Sequence, residues 1–252
     1  MRKNNALRRS IRILKSFSME SPQLGITDIA TKLGLAKSVV HGDVAVLTEE
    51  SILARNGTMG KYSLGAEIIR LGQVFMRNNT LRQISLPVME RLSGILQETI
   101  YLGAWINSRA YCVEIINSPH PLKVTLNIGD EFSLYAGGGG KALLAFIPDE
   151  ERERILRRLR LIKLTKRTIT SLSELRRQLE EVRKKGYGIA VEERYLDVVT
   201  IGVPIFGING RVTACLCAAG PVLRFRRNRI LDVVEVLKEA ADDILSRLGV
   251  PT

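Results

Sequence analysis

Apolar residues recur at helical spacing through the first third of the chain, then switch to a two-residue period near residue 99. Over residues 7–18, Leu7, Ile11, Leu14 and Phe17 alternate with arginine and lysine, which predicts an amphipathic helix. Ile29, Ala30 and Leu33 mark a short helix that Thr27 or Asp28 is placed to cap and Gly34 to break. Val40, Val44 and Leu47 then line one face of a second helix starting near Lys37. Two short helices around a glycine-containing turn predict a helix-turn-helix. "SILARNGTMGKYSLG" comes next, and its Asn56-Gly57 between two β-rich runs predicts a hairpin, hence a wing.

Residues 66–78 have the pattern of an amphipathic connector helix, interrupted at Asn78-Asn79-Thr80. Another helix follows, with Pro87 in its first turn or at a kink. "TIYLGAWI", "AYCVEII" and "KVTLN" are strand candidates. Helices are expected from about Gly140 to Ala145 and around residues 149–160. Ser171 to Lys185 carries a capping box, Ser171-x-x-Glu174, an apolar stripe at Leu172, Leu175, Leu179 and Val182, and a stop at Gly186. "VVTIGVPIF" and "RVTACLCAA" around "GING" predict a second hairpin, and residues 230–248 a closing helix. The expected fold is α/β and multidomain. A winged helix-turn-helix occupies residues 1–65, a connector helix 66–80, and an α/β domain with a largely antiparallel sheet 81–252.

Charge sharpens this picture. The 252 residues hold 38 Lys/Arg against 26 Asp/Glu, a net +12, which favours a polyanionic partner with nucleic acid first. Residues 1–65 alone contain 10 basic and 5 acidic residues. On the second helix, Lys37 and Ser38 suit phosphate contacts and His41 a phosphate or base edge, with Asp43 on the same two turns. Arg55, Asn56 and Lys61 are wing candidates. Gly42 is a defect inside a helix, costing about 1 kcal/mol relative to alanine. The eight basic residues between Arg152 and Arg167, and Arg224, Arg226, Arg227 and Arg229, are expected to be solvated faces. No apolar run approaches the roughly 20 residues of a membrane span, and the N-terminus lacks a signal-peptide core, so a cytoplasmic location is expected.

"YAGGGGKALLAF" invites a phosphate-loop reading that fails at both anchors, because Tyr135 stands where the first glycine belongs and Ala142 where the hydroxyl belongs. Cys215 and Cys217 share one face of a strand, and buried thiols of this kind usually behave as small hydrophobes. Glu192 and Glu193 would point to opposite faces of a strand and cannot work as a pair. No catalytic constellation, metal or cofactor is expected.

The blocks "GGKALLA", "TITSLSELRRQLEEVRKKGYGIAVEE" and "VPIFGINGRVTACLCAAGP", behind a winged segment, resemble the IclR family of bacterial and archaeal transcriptional regulators over essentially the whole chain. The resemblance implies a winged DNA-binding domain joined to a GAF-like effector-binding domain. It also implies dimers or tetramers on palindromic duplex DNA near promoters, often as repressors. The family's effector pocket maps here to Gly137, Gly138 and Gly139, then Ala190, Thr200, Cys217 and Ala219. Members that bind small oxyacids carry aspartate, cysteine and two serines at the last four positions. Alanine, threonine, cysteine and alanine here imply a roomier, less polar pocket, its wall opened by the glycines. Many members have arginine after the helix histidine, where Gly42 and Asp43 stand, so the operator does not carry over. The alternative reading is a small-molecule-binding protein, or an enzyme using Cys217 or the acidic pair, whose winged segment is a protein-interaction surface.

Overall fold

The computed structural model describes residues 5–57, 60–207, 209–225 and 227–249. The chain divides into two compact units, residues 1–78 and 79–252.

The first unit runs α1 (Asn5–Leu14), β1 (Leu24–Gly25), α2 (Ile26–Leu33), α3 (Lys37–Glu49), β2 (Leu53–Asn56), β3 (Lys61–Leu64) and α4 (Ala66–Asn78). Its core is Ile13, Ile29, Val40, Val44 and Leu53, each at most 1% exposed. Gly34 ends α2 in the left-handed region (φ 66°), and Leu35 N–H closes back onto the Ala30 carbonyl at 3.0 Å. Neither Thr27 nor Asp28 is the cap residue, because the helix starts one residue before Thr27. Asp28 instead accepts the Gly25 N–H at 2.9 Å from inside the first turn. The first helix stops at Leu14, four residues early, where the Ser16 hydroxyl takes the Ile13 carbonyl at 2.6 Å.

The wing is a three-stranded sheet in the order β1-β3-β2. Asn56 pairs with Lys61, so the connection is four residues, not a two-residue turn at Asn56-Gly57. Gly57 and Gly60 supply its positive φ angles, 50° and 62°. Two-residue β1 carries no periodicity and is invisible in the sequence.

The second unit runs α5 (Thr80–Leu96), β4 (Thr99–Ile106), β5 (Arg109–Ile116), α6 (Gly138–Phe146), α7 (Asp149–Leu156), α8 (Leu172–Lys185), β6 (Gly188–Val191), β7 (Val198–Phe206), β8 (Val212–Pro221) and α9 (Arg227–Arg247). Its sheet is antiparallel throughout, in the order β5-β4-β8-β7-β6. Strand alternation splits the core in two. Ala214, Leu216 and Ala218 pack with Leu92 of α5 and Leu237 of α9, while Cys215, Cys217 and Ala219 pack with Leu143 of α6 and Leu179 of α8.

Four expectations change here. "KVTLN" is not a strand, because the free edge of β5 is taken by residues 129–132. Gly129 N–H reaches Cys112 O at 2.7 Å, and Phe132 N–H reaches Ala110 O at 3.0 Å. Pro87 lies in the middle of α5, which starts seven residues earlier behind an Asn79 side-chain cap. The Ser171 side chain does not cap α8. Its hydroxyl pairs with Ser173 at 2.6 Å, and Glu174 turns to Arg177. Arg224 and Arg229 are structural, not solvated: Arg224 binds fully buried Glu98 through two 2.7 Å bonds, and Arg229 donates to Leu96 O at 2.8 Å. Arg226 lies outside the described residues, as does the side chain of Arg227.

Candidate DNA-reading helix and effector site

In the first unit, α3 buries Val40 and Val44 and exposes Lys37, Ser38, Val39, His41, Gly42, Ala45, Val46 and, at its end, Glu49. The outer face is therefore mostly small or apolar, with one lysine at its start. A Cβ added at Gly42 meets nothing within 4 Å, so internal packing does not require glycine there. Asp43 is engaged in an ion pair within the unit. Its carboxylate is held by Arg9 of α1, which donates through Nη2 at 2.9 Å and through Nε. That bond raises the Arg9 pKa further. Asp43 thus braces α3 against α1. On the wing, Arg55 is exposed in β2 and Lys61 exposed in β3, while Asn56 Oδ1 accepts the Ser63 hydroxyl at 3.4 Å.

In the second unit, the four glycines are the N-cap and first turn of α6, with Gly137 as N-cap in extended backbone (φ −167°). Three of the four do not open a wall. A Cβ on Gly138 would lie 2.4 Å from Thr200 O, one on Gly139 2.5 Å from Cys217 Sγ, and one on Gly140 2.0 Å from Ser133 O. Gly188 and Gly202 complete the approach from the sheet side, each within 2.5 Å of the α6 backbone on the same test. These residues let a helix start sit directly on strands. Only Gly137 has room, its nearest neighbour being Ser133 O at 3.6 Å.

Ala190, Thr200 and Ala219 are register partners on β6, β7 and β8, and Thr99 of β4 extends the same row. Gly188, Gly202, Cys217 and Tyr101 form the next row. Thr200 Oγ1 accepts the Gly138 N–H at 2.8 Å, which leaves the threonine hydroxyl its own proton to donate. The expected effector residues therefore converge on one patch, and Thr99 and Tyr101 join it without any local sequence signal. Burial pushes the Tyr101 phenol and the Cys215 thiol well up, and Cys112 up to about 12. Tyr101 and those two thiols stay protonated near neutral pH, which removes Cys112 and Cys215 from thiolate chemistry.

Behind the patch, Lys141 is 1% exposed and donates to Glu193 Oε1 at 2.7 Å and Gln178 Oε1 at 2.9 Å. Glu193 Oε2 is buried without a hydrogen-bond partner. Burial lowers the Lys141 pKa and raises that of Glu193, so neither ion is fully compensated by the other. The strand expected for Glu192-Glu193 ends before them. Glu192 follows β6 at φ 56°, and Glu193 turns inward to Lys141.

A winged helix-turn-helix joined to an antiparallel-sheet unit with a helix N-terminus on its face defines a two-domain DNA-binding regulator. The IclR helix-turn-helix domain matches residues 6–57, and the bacterial transcriptional regulator IclR C-terminal domain matches residues 73–246. The chain belongs to the IclR family. It is 32% identical over 242 residues to the HTH-type transcriptional regulator KdgR of Escherichia coli K12, covering 94% of this chain and 92% of KdgR. It is 30% identical over 247 residues to the HTH-type transcriptional regulator KipR of Bacillus subtilis, covering 98% of each. An IclR homolog from Microbacterium hydrocarbonoxydans, solved with 4-hydroxybenzoate, superposes with a TM-score of 0.83 at 28% identity, over 98% of this chain and all of that one. No helix among the described residues is long and apolar enough to cross a membrane.

Proposed function

We propose that this protein is a cytoplasmic, ligand-responsive repressor that reads a palindromic operator as a dimer or a dimer of dimers. Residues 1–65 form the DNA-binding domain, 66–80 the connector and 81–252 the effector-binding domain. The observation that carries the reading is the exposed face of α3 beside a basic wing, within a family of transcriptional regulators. Lys37 and Ser38 would position the helix on phosphates and His41 would reach a phosphate or base edge, while Arg55, Asn56 and Lys61 follow the backbone from the wing. Asp43 acts indirectly, by fixing the angle of α3. Repression by occlusion requires nothing beyond these surfaces.

For the effector, the α6 N-terminus and the Thr200 hydroxyl favour an anionic end, and Ala190, Cys217 and Ala219 favour an apolar body. An aromatic carboxylate fits that description, and the Microbacterium homolog was solved with one. Small oxyacids such as glyoxylate would lack the acid and hydroxyl partners they find in other members. Dimerisation is supported by α4, which buries none of its residues and leaves Ile69, Leu71, Val74 and Phe75 between 46% and 66% exposed.

A mobility-shift titration on the gene's own upstream region tests the proposal. The wild type should give a sequence-selective, salt-sensitive shift, and Lys37→Ala with His41→Ala should weaken it at least tenfold without changing the circular-dichroism melt. No selective shift by the wild type would sink the DNA reading. A thermal-shift screen should then find stabilisation by benzoate-type acids and none by glyoxylate.

A further inference from the structure

The two units divide the net charge evenly, but in the second it has a single source. Residues 79–252 contain 26 Lys/Arg and 20 Asp/Glu, and the segment 152–167 contributes eight of the basic residues and one of the acidic. Outside that segment the unit is nearly balanced, 18 basic against 19 acidic. Elsewhere in the unit arginines are commonly held by carboxylates, as with Arg82–Glu114, Arg91–Asp243, Arg109–Glu131 and Arg224–Glu98. Within the segment only Arg152 and Arg167 are so held. Arg154, Arg157, Arg158, Arg160, Lys163 and Lys166 are all exposed and have no ion-pair partner among the described residues.

This run is not a loose charged tail. The Tyr135 hydroxyl accepts the Ile162 N–H at 3.1 Å and donates to the Ile162 carbonyl at 3.0 Å. Thr165 donates to Glu192 O at 2.5 Å and Thr168 to Glu193 O at 2.6 Å. The backbone between α7 and α8 is therefore pinned at Ile162, in the middle of its cationic stretch, and at Thr165 and Thr168, its C-terminal end. Asp149, Glu150 and Glu153 stand beside Arg154, Arg157 and Arg158, but the cations outnumber the acids across the segment, and clustered like charges repel, so the surplus is suited to an external polyanion. Fixed guanidinium groups match phosphate oxygens in geometry as well as sign.

We propose that residues 154–166 are a second DNA-binding surface, holding duplex phosphates without sequence preference and independently of the α3 reader. It rests on the DNA reading above only in taking duplex DNA as the polyanion. Being tethered to a reader in the same chain raises the effective concentration of DNA at this surface, so individually weak phosphate interactions become effective together.

The test compares the full-length wild type with two charge-matched variants on a random-sequence duplex and on the upstream region. One variant is Arg157→Gln with Arg158→Gln and Arg160→Gln, and the other is Lys123→Gln with Lys184→Gln and Arg211→Gln. All six residues are exposed, and thermal melts establish that both variants are folded. On the random duplex, the first triple should flatten the slope of log K against log[salt] by about 0.9 for each phosphate that is no longer neutralised. The second triple should keep the wild-type slope. Sequence selectivity, measured as the ratio of affinities for the two duplexes, should survive in both. Equal slopes in the two triples would overturn the proposal and leave the α3 reading intact. A wild type that retains neither duplex would overturn both.

Discussion

At the residue scale, neighbouring glycines in one motif have different duties. Gly140 is irreplaceable because a Cβ there would lie 2.0 Å from Ser133 O, whereas a Cβ on Gly137 would meet Ser133 O at an ordinary contact distance of 3.6 Å, in backbone that any residue adopts. Gly140→Ala should destabilise the protein by about 1–3 kcal/mol or more through overpacking. Gly137→Ser should be neutral or stabilising by a few tenths of a kcal/mol, as a better N-cap. Urea unfolding midpoints check both. Equal costs at the two positions would contradict the close approach of α6 to the sheet. The run of four glycines is plain in the sequence, but its purpose is not. Sequence alone suggests an open wall, and the atoms filling each gap come from Ser133, Thr200 and Cys217.

At the element scale, α6 and α8 are joined to the end of β6 by buried Lys141 and Glu193 with half-buried Gln178. Removing Lys141 alone leaves an uncompensated buried carboxylate, so Lys141→Met should cost about 3–5 kcal/mol, and adding Glu193→Leu should recover most of it. The pH dependence has a definite sign. Burial raises the folded pKa of Glu193 above the ordinary 4.5, so its contribution to stability is fullest below pH 4.5 and declines as pH climbs through the folded value. Glu193→Gln cannot ionise and escapes that decline. Its Tm relative to the wild type should rise between pH 4.5 and neutrality. A difference independent of pH would mean that ionisation of Glu193 is not involved. The ends of α8 show what local pattern conveys. Gly186 terminates the helix as its position suggests (φ 78°), whereas the Ser171/Glu174 capping box does not form because both side chains find other partners.

At the scale of the whole molecule, the exposed apolar residues of α4 and the exposed cations of 154–166 carry the contacts proposed above with a second chain and with DNA. Ile69→Asp with Phe75→Asp removes apolar area without touching a buried position. Sedimentation velocity should show the double variant shifting from dimer to monomer, with its selective DNA affinity falling at least tenfold because a monomer holds a single half-site. A variant of unchanged mass in solution would move the interface away from α4.

The sequence by itself determined the winged segment, the family and most of the element order, with β1 and "KVTLN" as exceptions. Those follow from periodicity, glycine stops and motif blocks, all of which are local properties of a chain. It also brought Ala190, Thr200, Cys217 and Ala219 to notice, through resemblance. Only the tertiary structure decided that Asp43 braces α1, that Arg224 and Arg229 secure the ends of α5 and β8, that "KVTLN" forms no strand and that the glycines carry a helix onto a sheet. For the charges the deciding partner lies far along the chain, 34 residues from Asp43 to Arg9 and 126 from Glu98 to Arg224. A charge or a missing side chain takes its meaning from what stands opposite it, and packing, not spacing, chooses that neighbour.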